Sequence, residues 1–403
     1  MIEAVKSQWP FRLFMHILVM SRTTLGHSLG GMQKQTMDLC EGFVKSGHKV
    51  TLLTTGRDDN IDHEIINGVE IFYLTGSKPS HYSKKWNKLA RTKLAELHQH
   101  TPLDVIHSQS MGANGILKWA KSNSIPIVST WHGTNMTELS AYFSAASYNP
   151  RYWHWLLITP IALFNRYLRM ELPIRKASKA ITLVSPTLEN HMKKYATGKV
   201  ITIPNGVFIP EHIEPKFDSQ IIEIISIGRL VKQKGVQHAI NGIASLPDNL
   251  RSKVHLNIVG EGPYLNNLKE LSSSLGLDGY VTFHGRMVGD NLANMYKKCL
   301  IHLMPTTSHE GLPLTILEGM SYGLVTIASD IGGIPSLITH NKDGILIYPG
   351  RSLEVAQNLG RLFEDRSLME TLSKSARATI IGGYSIEKMV SSTLEILIGA
   401  VEE

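Results

Sequence analysis

Cysteine is scarce in this sequence of 403 residues, which contains only Cys40 and Cys299. Two cysteines so far apart offer neither the series of a disulfide framework nor the close pairs that bind zinc. This scarcity therefore argues against a disulfide-stabilised secreted domain and against a zinc site of the common patterns. It is typical of a protein in a reducing cytosol, and we predict a cytoplasmic location.

Long apolar runs are missing as well. The run Trp155–Phe164 is only ten residues long and contains Pro160, whereas a helix needs ~20 apolar residues to cross a bilayer. The N-terminal run Phe11–Met20 is interrupted by Arg12 and His16 and is not followed by a small-residue cleavage site. It therefore predicts a first β-strand rather than a signal peptide. We predict no membrane-spanning segment.

Negative charge is short in the first half of the chain only. Residues 1–206 carry 24 Lys and Arg against 13 Asp and Glu, whereas residues 207–403 carry 17 against 21. A basic half attracts an anionic membrane surface or an anionic acceptor, although the same excess fits an ordinary solvated face. Nucleic acid is not an expected partner, because the sequence has no nucleic-acid-binding motif and no interleaved basic and aromatic residues.

The distribution of apolar residues predicts an α/β fold with two domains. The chain exceeds the length at which one core keeps growing, so two domains of about 200 residues each are expected. Short β-branched runs alternate with longer amphipathic ones, which predicts parallel sheets with helices on both faces. The predicted strands are 13–20, 49–54, 105–108, 125–130 and 180–184 in the first half, and 221–228, 254–259, 280–283, 300–304, 325–328 and 344–347 in the second, with a helix at 32–46.

A segment without periodicity separates the two halves. It begins with Ile-Thr-Ile-Pro-Asn-Gly-Val at 201–207 and continues to about residue 216, and we predict the domain linker there. The first domain is then 1–206 and the second 207–385. Residues 386–403 have the spacing of an amphipathic helix, which alone fits either domain, and we assign this helix to the first.

The most informative stretch is 308–319, where two glutamates surround a predicted helix start. A strand is predicted just before it, and Pro313 fits the first turn of the helix. Glu310 would then lie in the loop and Glu318 inside the helix. The first N–H groups of a helix have no partner within it and face anions such as a diphosphate. Here these groups would belong to Gly311, Leu312, Leu314 and Thr315.

A second loop adds positive charge. The segment 228–235 directly follows a strongly apolar predicted strand and contains Arg229 and Lys234. Ligands of α/β sheets bind beyond the carboxyl ends of the strands, so we expect both cations in a cleft. Arg binds phosphate oxygens with its planar fork and Lys with a point charge, and both stabilise a diphosphate leaving group. An exposed basic loop without function fits the same residues.

Three further strand ends carry candidate residues. Gly30-Gly31 opens the predicted helix at 32–46 and leaves room for a phosphate or an acceptor, although a plain turn is also consistent with the pair. His132 and Arg286 each follow a predicted strand. His302, in contrast, lies inside an apolar strand and is predicted to be a satisfied core residue.

Three motifs in this order resemble family 4 of the retaining glycosyltransferases, which have the GT-B fold. They are, in chain order, the Pro-Asn-Gly-Val sequence at 204–207, the Gly-Arg to Lys-Gly loop at 228–235 and the Glu-x7-Glu segment at 310–318. Gly30-Gly31 and Trp131-His132-Gly133 fit the same pattern. The resemblance covers nearly the whole chain. It implies two Rossmann-like parallel-sheet domains facing across a cleft, with the acceptor in the first and the nucleotide sugar in the second.

The resemblance also implies a role for each matching donor-side position. Arg229 and Lys234 would bind the donor diphosphate. Glu310 would accept hydrogen bonds from donor-sugar hydroxyls near the reacting carbon, and Glu318 from the ribose hydroxyls. Arg286 belongs to a loop that the family places around the nucleotide base.

His132 has a separate implied role. Its backbone carbonyl or its ring would lie near the cationic anomeric centre. Many relatives have an acid after this histidine, but this chain has Gly133, so no general base is assigned there. Asp58-Asp59 lies in a polar turn, and we assign no metal and no cofactor.

The implied reaction is retaining transfer of a sugar from a nucleoside diphosphate sugar to a hydroxyl of a sugar or a lipid-linked glycan. A UDP-sugar is favoured and GDP-mannose is second, and the context is glycan, glycolipid or cell-envelope polysaccharide synthesis. No nucleophile for double displacement is evident, so attack from the leaving-group face is implied. A GT-B sugar-nucleotide epimerase and a non-catalytic nucleotide-sugar-binding regulator are the alternatives.

The segment 152–167 allows two interpretations. It is rich in Trp and Leu and has Arg166 and Arg169 near its end. Such a helix lies on a membrane surface, which would make the protein peripheral on the cytoplasmic membrane face, or it is buried beside the cleft.

Overall fold

The computed structural model describes residues 14–28, 30–134, 153–215 and 217–403, and for 153–158 it describes the backbone alone. Two sheets flanked by helices make up the fold, which is α/β as predicted. The strands of the first sheet are β1 (His16–Met20), β2 (Lys49–Thr55), β3 (His63–Ile66), β4 (Val69–Leu74), β5 (Val105–Gln109), β6 (Ile127–Trp131), β7 (Ala180–Leu183) and β8 (Lys199–Thr202). Those of the second are β9 (Ile222–Ile227), β10 (Val254–Val259), β11 (Val281–Gly285), β12 (Ile301–Met304), β13 (Val325–Ser329) and β14 (Ile345–Ile347).

Helices connect these strands. In the first part of the chain they are α1 (Gly31–Lys45), α2 (Lys84–His100), α3 (Leu117–Ser122), α4 (Trp153–Arg166), α5 (Leu172–Ala177) and α6 (Glu189–Lys193). In the second they are α7 (Val236–Ala244), α8 (Asp248–Arg251), α9 (Leu265–Ser274), α10 (Gly289–Lys298), α11 (Leu314–Ser321), α12 (Ser352–Glu364), α13 (Arg366–Gly383) and α14 (Ile386–Glu402). A π-helical turn, Tyr167–Glu171, joins α4 to α5. Within the described ranges, no helix combines the length and apolar character needed to span a bilayer.

Strand order places the site loops. The first sheet runs β3-β4-β2-β1-β5-β6-β7-β8 and the second β11-β10-β9-β12-β13-β14. Neighbouring strands are parallel, apart from β3 and β4. That antiparallel hairpin departs from the predicted all-parallel pattern, and it turns at Asn67-Gly68, where both residues have positive φ. Asn-Gly is the residue pair that such a turn favours. Strand β8 was also not predicted, and it includes Ile201, which had been placed in the linker.

The C-terminal helix α14 packs on the first sheet's half of the molecule. Its buried residues Met389, Leu394 and Leu397 share one core cluster with β1, β2 and α1. A Cβ on Gly42 of α1 would lie 2.3 Å from a Val390 methyl, so the two helices approach this closely because residue 42 has no side chain. The chain therefore crosses twice between the two halves.

These two crossings lie side by side. The Val207 N–H donates to Tyr384 O at 2.9 Å, and the Ile386 N–H donates to Val207 O at 3.2 Å. A separate apolar cluster joins the halves, in which Val184 of the first meets Leu312 and Leu314 of the second. The halves thus meet at the carboxyl ends of β7 and β12, where α/β sheets bind ligands.

Candidate active site

Helix α11 begins beside the predicted anion site. Pro313 is its N-cap, with φ −66°, so it precedes the first turn and does not occupy it as predicted. The N–H groups of Ile316 and Leu317 both donate to Pro313 O, which leaves those of Leu314 and Thr315 without a partner inside the helix. Glu318 lies in the second turn, inside the helix as predicted.

Lys234 and Glu310 form the central ion pair of the site. Lys234 Nζ lies 2.8 Å from Glu310 Oε1 and 2.9 Å from Oε2. Thr306 Oγ1 donates to the same carboxylate at 3.2 Å. Both partners are partly buried, with 31 % of the Lys234 side chain and 14 % of the Glu310 side chain exposed. The pair thus lies at a cleft wall and remains within reach of a ligand.

A glycine brings the two loops together. Lys234 ends a short 3₁₀ turn after β9, and Gly235 follows it with φ +76°. A Cβ on Gly235 would lie 1.8 Å from Pro305 O at the end of β12, so only glycine permits this approach. The Thr307 N–H then donates to Gln233 O at 2.9 Å. Backbone contacts therefore fix Lys234 next to the loop that carries Glu310.

The glycine pair Gly332-Gly333 packs against the backbone of Glu310 and Gly311. It is not among the residues predicted from the sequence. Gly333, after β13, donates its N–H to Glu310 O at 2.8 Å. A Cβ on Gly333 would lie 1.6 Å from Gly311 O. The signal was available, because Gly332-Gly333 follows a predicted strand as Gly30-Gly31 does.

His132 reaches the same loop from the first half of the molecule. It directly follows β6, and a Cβ on Gly311 would lie 2.4 Å from His132 O. Its Nε2 lies 2.9 Å from Gln109 Oε1, at the end of β5. With the amide oxygen as acceptor, the ring carries its proton on Nε2. Burial lowers the pKa of His132 to about 4, so the imidazole is neutral at neutral pH.

Gly30-Gly31 also faces helix α11. A Cβ on Gly31, the first residue of α1, would lie 3.7 Å from Leu314 Cδ1. One turn further along α1, Lys34 is close enough to Glu318 for each to alter the pKa of the other. Lys34 is not among the residues predicted from the sequence, although its position in the first turns after the glycine pair was a usable signal.

Glu318 lies in a less polar environment than Glu310. Burial raises the pKa of its carboxyl group, and the charge of Lys34 and the hydrogen bond from Tyr296 partly oppose this. The Tyr296 hydroxyl donates to Glu318 Oε2 at 3.1 Å. Burial disfavours the charge of Lys34, but Asp38 and Glu318 outweigh it and raise the pKa. The charges of Lys34, in the first half of the molecule, and Glu318, in the second, therefore attract each other.

Asn205 links the domain crossing to the same loop. Its side-chain Nδ2 donates to Leu312 O at 2.8 Å, and the residue is 4 % exposed. In the sequence, Asn205 is part of a family motif to which no role is assigned. Leu312 lies 107 positions from Asn205 along the chain, so no local sequence pattern reveals this contact.

Arg229 and Arg286 are not brought into contact with these groups. Both side chains are exposed, and within the described ranges neither takes part in a side-chain hydrogen bond or ion pair. Their loops do adjoin the same stretch of β-sheet edge. The Leu230 N–H donates to Glu261 O at 2.8 Å, and the Gly260 N–H donates to Gly285 O at 2.7 Å. Both arginines therefore lie in loops at the carboxyl ends of β9 and β11, which are linked through the loop after β10.

Asp59 and His302 were also singled out in the sequence. Asp59 is bound to Arg57 at 2.5 Å, and the described part of the chain contains no group of three His, Cys, Asp or Glu arranged to hold a metal. His302 is fully buried as expected, but neither ring nitrogen has a hydrogen-bond partner among the described residues. The prediction that His302 is a core residue is therefore confirmed, whereas the prediction that its hydrogen bonds are satisfied is wrong.

Comparisons with known proteins agree with this architecture. Residues 210–379 match the family described as Glycosyl transferases group 1, and residues 29–209 match Glycosyltransferase Family 4. An uncharacterized glycosyltransferase of Methanocaldococcus jannaschii is 25 % identical, over 93 % of this chain and 95 % of its own length. The N-acetyl-alpha-D-glucosaminyl L-malate synthase of Bacillus anthracis is also 25 % identical, over 90 % and 92 %.

Solved structures share the fold at lower identity. Sucrose-phosphate synthase from Thermosynechococcus elongatus superposes with a TM-score of 0.76 at 18 % identity, covering 96 % of this chain and 98 % of that one. HepE of Anabaena, in complex with UDP and glucose, gives 0.71 at 18 % identity, over 96 % and 100 %. The two matching families, which together extend over nearly the whole chain, and the two facing parallel sheets lead to one conclusion. This chain is a glycosyltransferase of family 4 with the GT-B fold.

Proposed function

We propose that the protein transfers a sugar, with retention of anomeric configuration, from a nucleoside diphosphate sugar to a hydroxyl acceptor. The carrying observation is the Lys234–Glu310 pair in the loop before α11, whose Gly311 lies against the backbone of His132 from the first half of the molecule. It provides a cation and the N–H groups at and just before the helix start for a diphosphate, and a carboxylate for sugar hydroxyls.

The donor would be divided among these groups. Its diphosphate would accept hydrogen bonds from the N–H groups of Gly311, Leu312, Leu314 and Thr315, and from Lys234 and the exposed Arg229. The sugar hydroxyls would donate to Glu310 and the ribose hydroxyls to Glu318. Since Lys234 and Glu310 already neutralise each other, a bound donor would share both charges, with phosphate oxygens on one and hydroxyls on the other.

The chemical step would depend on charge and position. As the glycosidic bond to phosphate breaks, negative charge grows on the diphosphate, where Lys234, Arg229 and the helix start stabilise it. A neutral His132 adds no positive charge near the cationic sugar carbon, and its carbonyl dipole favours that cation. Attack from the leaving-group face, with a diphosphate oxygen accepting the acceptor's proton, gives retention without a protein nucleophile.

For the donor we propose a UDP-sugar first and GDP-mannose second. The structural neighbour HepE was solved with UDP-glucose. A relative from Mycobacterium tuberculosis, 28 % identical over 183 residues, is named as a GDP-mannose-dependent mannosyltransferase acting on phosphatidylinositol monomannoside. Arg286 would border the nucleotide base in either case.

For the acceptor we propose a sugar or lipid-linked glycan, bound by residues 1–206 together with helix 386–403. Residues 207–385 would bind the donor. The reaction would take place on the cytoplasmic side, in glycan, glycolipid or cell-envelope polysaccharide synthesis, and would need neither a metal nor a cofactor.

Two measurements test the proposal in sequence. A thermal-shift screen of nucleotide sugars identifies the donor, because a ligand of the folded state raises the melting temperature. Incubation with that donor and a panel of glycan acceptors, followed by NMR of the product, should then show a new glycosidic bond with the anomeric configuration of the donor. An inverted product would overturn retention. An epimerised nucleotide sugar formed without acceptor, or binding with no turnover, would replace transfer with epimerisation or regulation.

A further inference from the structure

Helix α4 and the π-helical turn present exposed apolar side chains on one side. Ile161 is 62 % exposed, Phe164 61 % and Leu168 43 %. Residues spaced by three and four positions lie above one another on a helix. These three therefore form one apolar stripe that faces away from the protein. In a water-exposed helix this stripe would normally carry polar residues.

An aromatic row extends the stripe onto a neighbouring segment. The Phe164 ring stacks on Tyr167 with centroids 6.5 Å apart, and Tyr167 contacts Tyr195 edge-on at 6.4 Å. Tyr195 is itself 41 % exposed. We call Ile161, Phe164, Leu168 and Tyr195 the apolar face. Tyr167 joins Phe164 to Tyr195, and Ile161 and Leu168 lie about one turn from Phe164 along the helix.

Positive charge borders the apolar face. Residues 161–200 contain eight Lys and Arg against two Asp and Glu. Of the two acids, Glu171 is fully buried beside Arg175, and Glu189 is bound to Lys193. Lys194 lies over the Tyr195 ring at 5.5 Å, and Arg169 is exposed next to Leu168. Two cations, Lys194 and Arg169, therefore lie beside members of the apolar face.

The apolar face is also connected to the cleft. The guanidinium of Arg175 lies 5.5 Å from the Tyr167 ring and 5.9 Å from the Trp131 ring. Trp131 ends β6 and directly precedes His132. A surface bound to the apolar face would thus lie on the half of the molecule that carries His132, within a few side chains of the cleft wall.

We propose that the apolar face docks on the surface of an anionic lipid bilayer. Apolar and aromatic side chains of an interfacial helix enter the boundary between headgroups and acyl chains, while Lys and Arg extend to lipid phosphates. An apolar stripe with a cationic border matches this environment on both counts. The proposal does not depend on the sugar-transfer function, because vesicle binding is measured without donor or acceptor.

Cosedimentation of the full-length protein with vesicles tests the surface. We expect binding to phosphatidylcholine vesicles containing about 30 % phosphatidylglycerol, weaker binding without the anionic lipid, and weakening by salt. The double variant Phe164→Asp/Leu168→Asp should lose at least about tenfold in affinity, and Arg169→Glu/Lys194→Glu should remove the preference for anionic lipid. Leu353→Asp is the matched control, because Leu353 is 62 % exposed on α12 in the other half.

A site-specific probe keeps the test independent of folding defects. Cys40 and Cys299 are both buried, so a new surface cysteine can be labelled selectively with a polarity-sensitive fluorophore. At Phe164→Cys we expect a blue shift on addition of anionic vesicles, and at Leu353→Cys none. Absence of wild-type binding, equal shifts at both positions, or self-association in solution that Phe164→Asp/Leu168→Asp abolishes would each overturn the proposal. The last result would identify a second copy of the chain as the partner.

Discussion

Lys234 and Glu310 lie 76 positions apart in the chain, yet the lysine Nζ is bonded to both oxygens of the carboxylate, at 2.8 and 2.9 Å. The two residues come from the loops after β9 and β12, which are neighbours in the sheet. Each therefore neutralises the other. Any anion that binds Lys234 competes with Glu310, so the pair should respond differently to a diphosphate alone and to a diphosphate that carries a sugar.

Replacing Lys234 tests the cation. Hydrogen bonds to charged groups contribute about 1.5–3 kcal/mol, so Lys234→Ala should weaken binding of the nucleoside diphosphate by roughly 10- to 150-fold. Titration calorimetry measures this directly. Lys232→Ala is the control, because Lys232 occupies the same turn but is exposed. Equal losses in both variants would assign the effect to the charge of the loop as a whole.

Replacing Glu310 separates the two ligands. In Glu310→Gln the lysine is no longer neutralised, so the nucleoside diphosphate should bind at least as tightly as in the wild type. Transfer at saturating donor should fall by about 10- to 100-fold, since a charged acceptor for sugar hydroxyls is lost. Steady-state kinetics and calorimetry on one preparation give both numbers. A full transfer rate in this variant would remove Glu310 from the site.

Asn205 should position the loop that begins α11. Asn205→Ala leaves the buried Leu312 carbonyl without its donor, at a cost of about 1–3 kcal/mol. We expect a higher KM for the donor together with a lower melting temperature. Asn249→Ala, at an exposed position, should change neither. A lower melting temperature with an unchanged KM would limit Asn205 to a structural role.

Acid sensitivity should depend partly on His302. Burial lowers its pKa to about 4, below the 6.5 of an exposed histidine. The unfolded chain therefore binds a proton more readily than the folded one between these values. The contribution of His302 to the free energy of unfolding is therefore complete above pH 6.5 and is lost as the pH falls toward 4.

The variant His302→Met tests this contribution. Between pH 7 and pH 5, protonation of this one group should lower the free energy of unfolding of the wild type by roughly 2 kcal/mol. His302→Met removes an imidazole without hydrogen-bond partners and should be neutral or stabilising at pH 7, with a smaller loss at pH 5. Denaturant unfolding at both pH values measures the difference. His107 and His132, whose pKa values are also lowered to about 4 by burial, should retain the remaining sensitivity. An identical pH dependence in wild type and variant would contradict the prediction.

The parallel α/β organisation and the loops that carry Lys234 and Glu310 can be predicted from the sequence alone. Both follow from local signals, namely β-branched runs, glycines after strands and a proline before a helix, which act over a few residues. The assignment of roles to these residues stays a prediction.

Which of these residues come into contact is seen in the three-dimensional fold alone. The Lys234–Glu310 bond, the contact of Asn205 with Leu312 and the attraction between Lys34 and Glu318 each join distant parts of the chain. The docking of α14 on α1 depends on the absence of a side chain at Gly42. The amphipathic pattern of α14 alone does not predict which helix it packs against. The physical reason is the same in each case, because packing and charge act through space, and their partners are set by the order of strands in the two sheets.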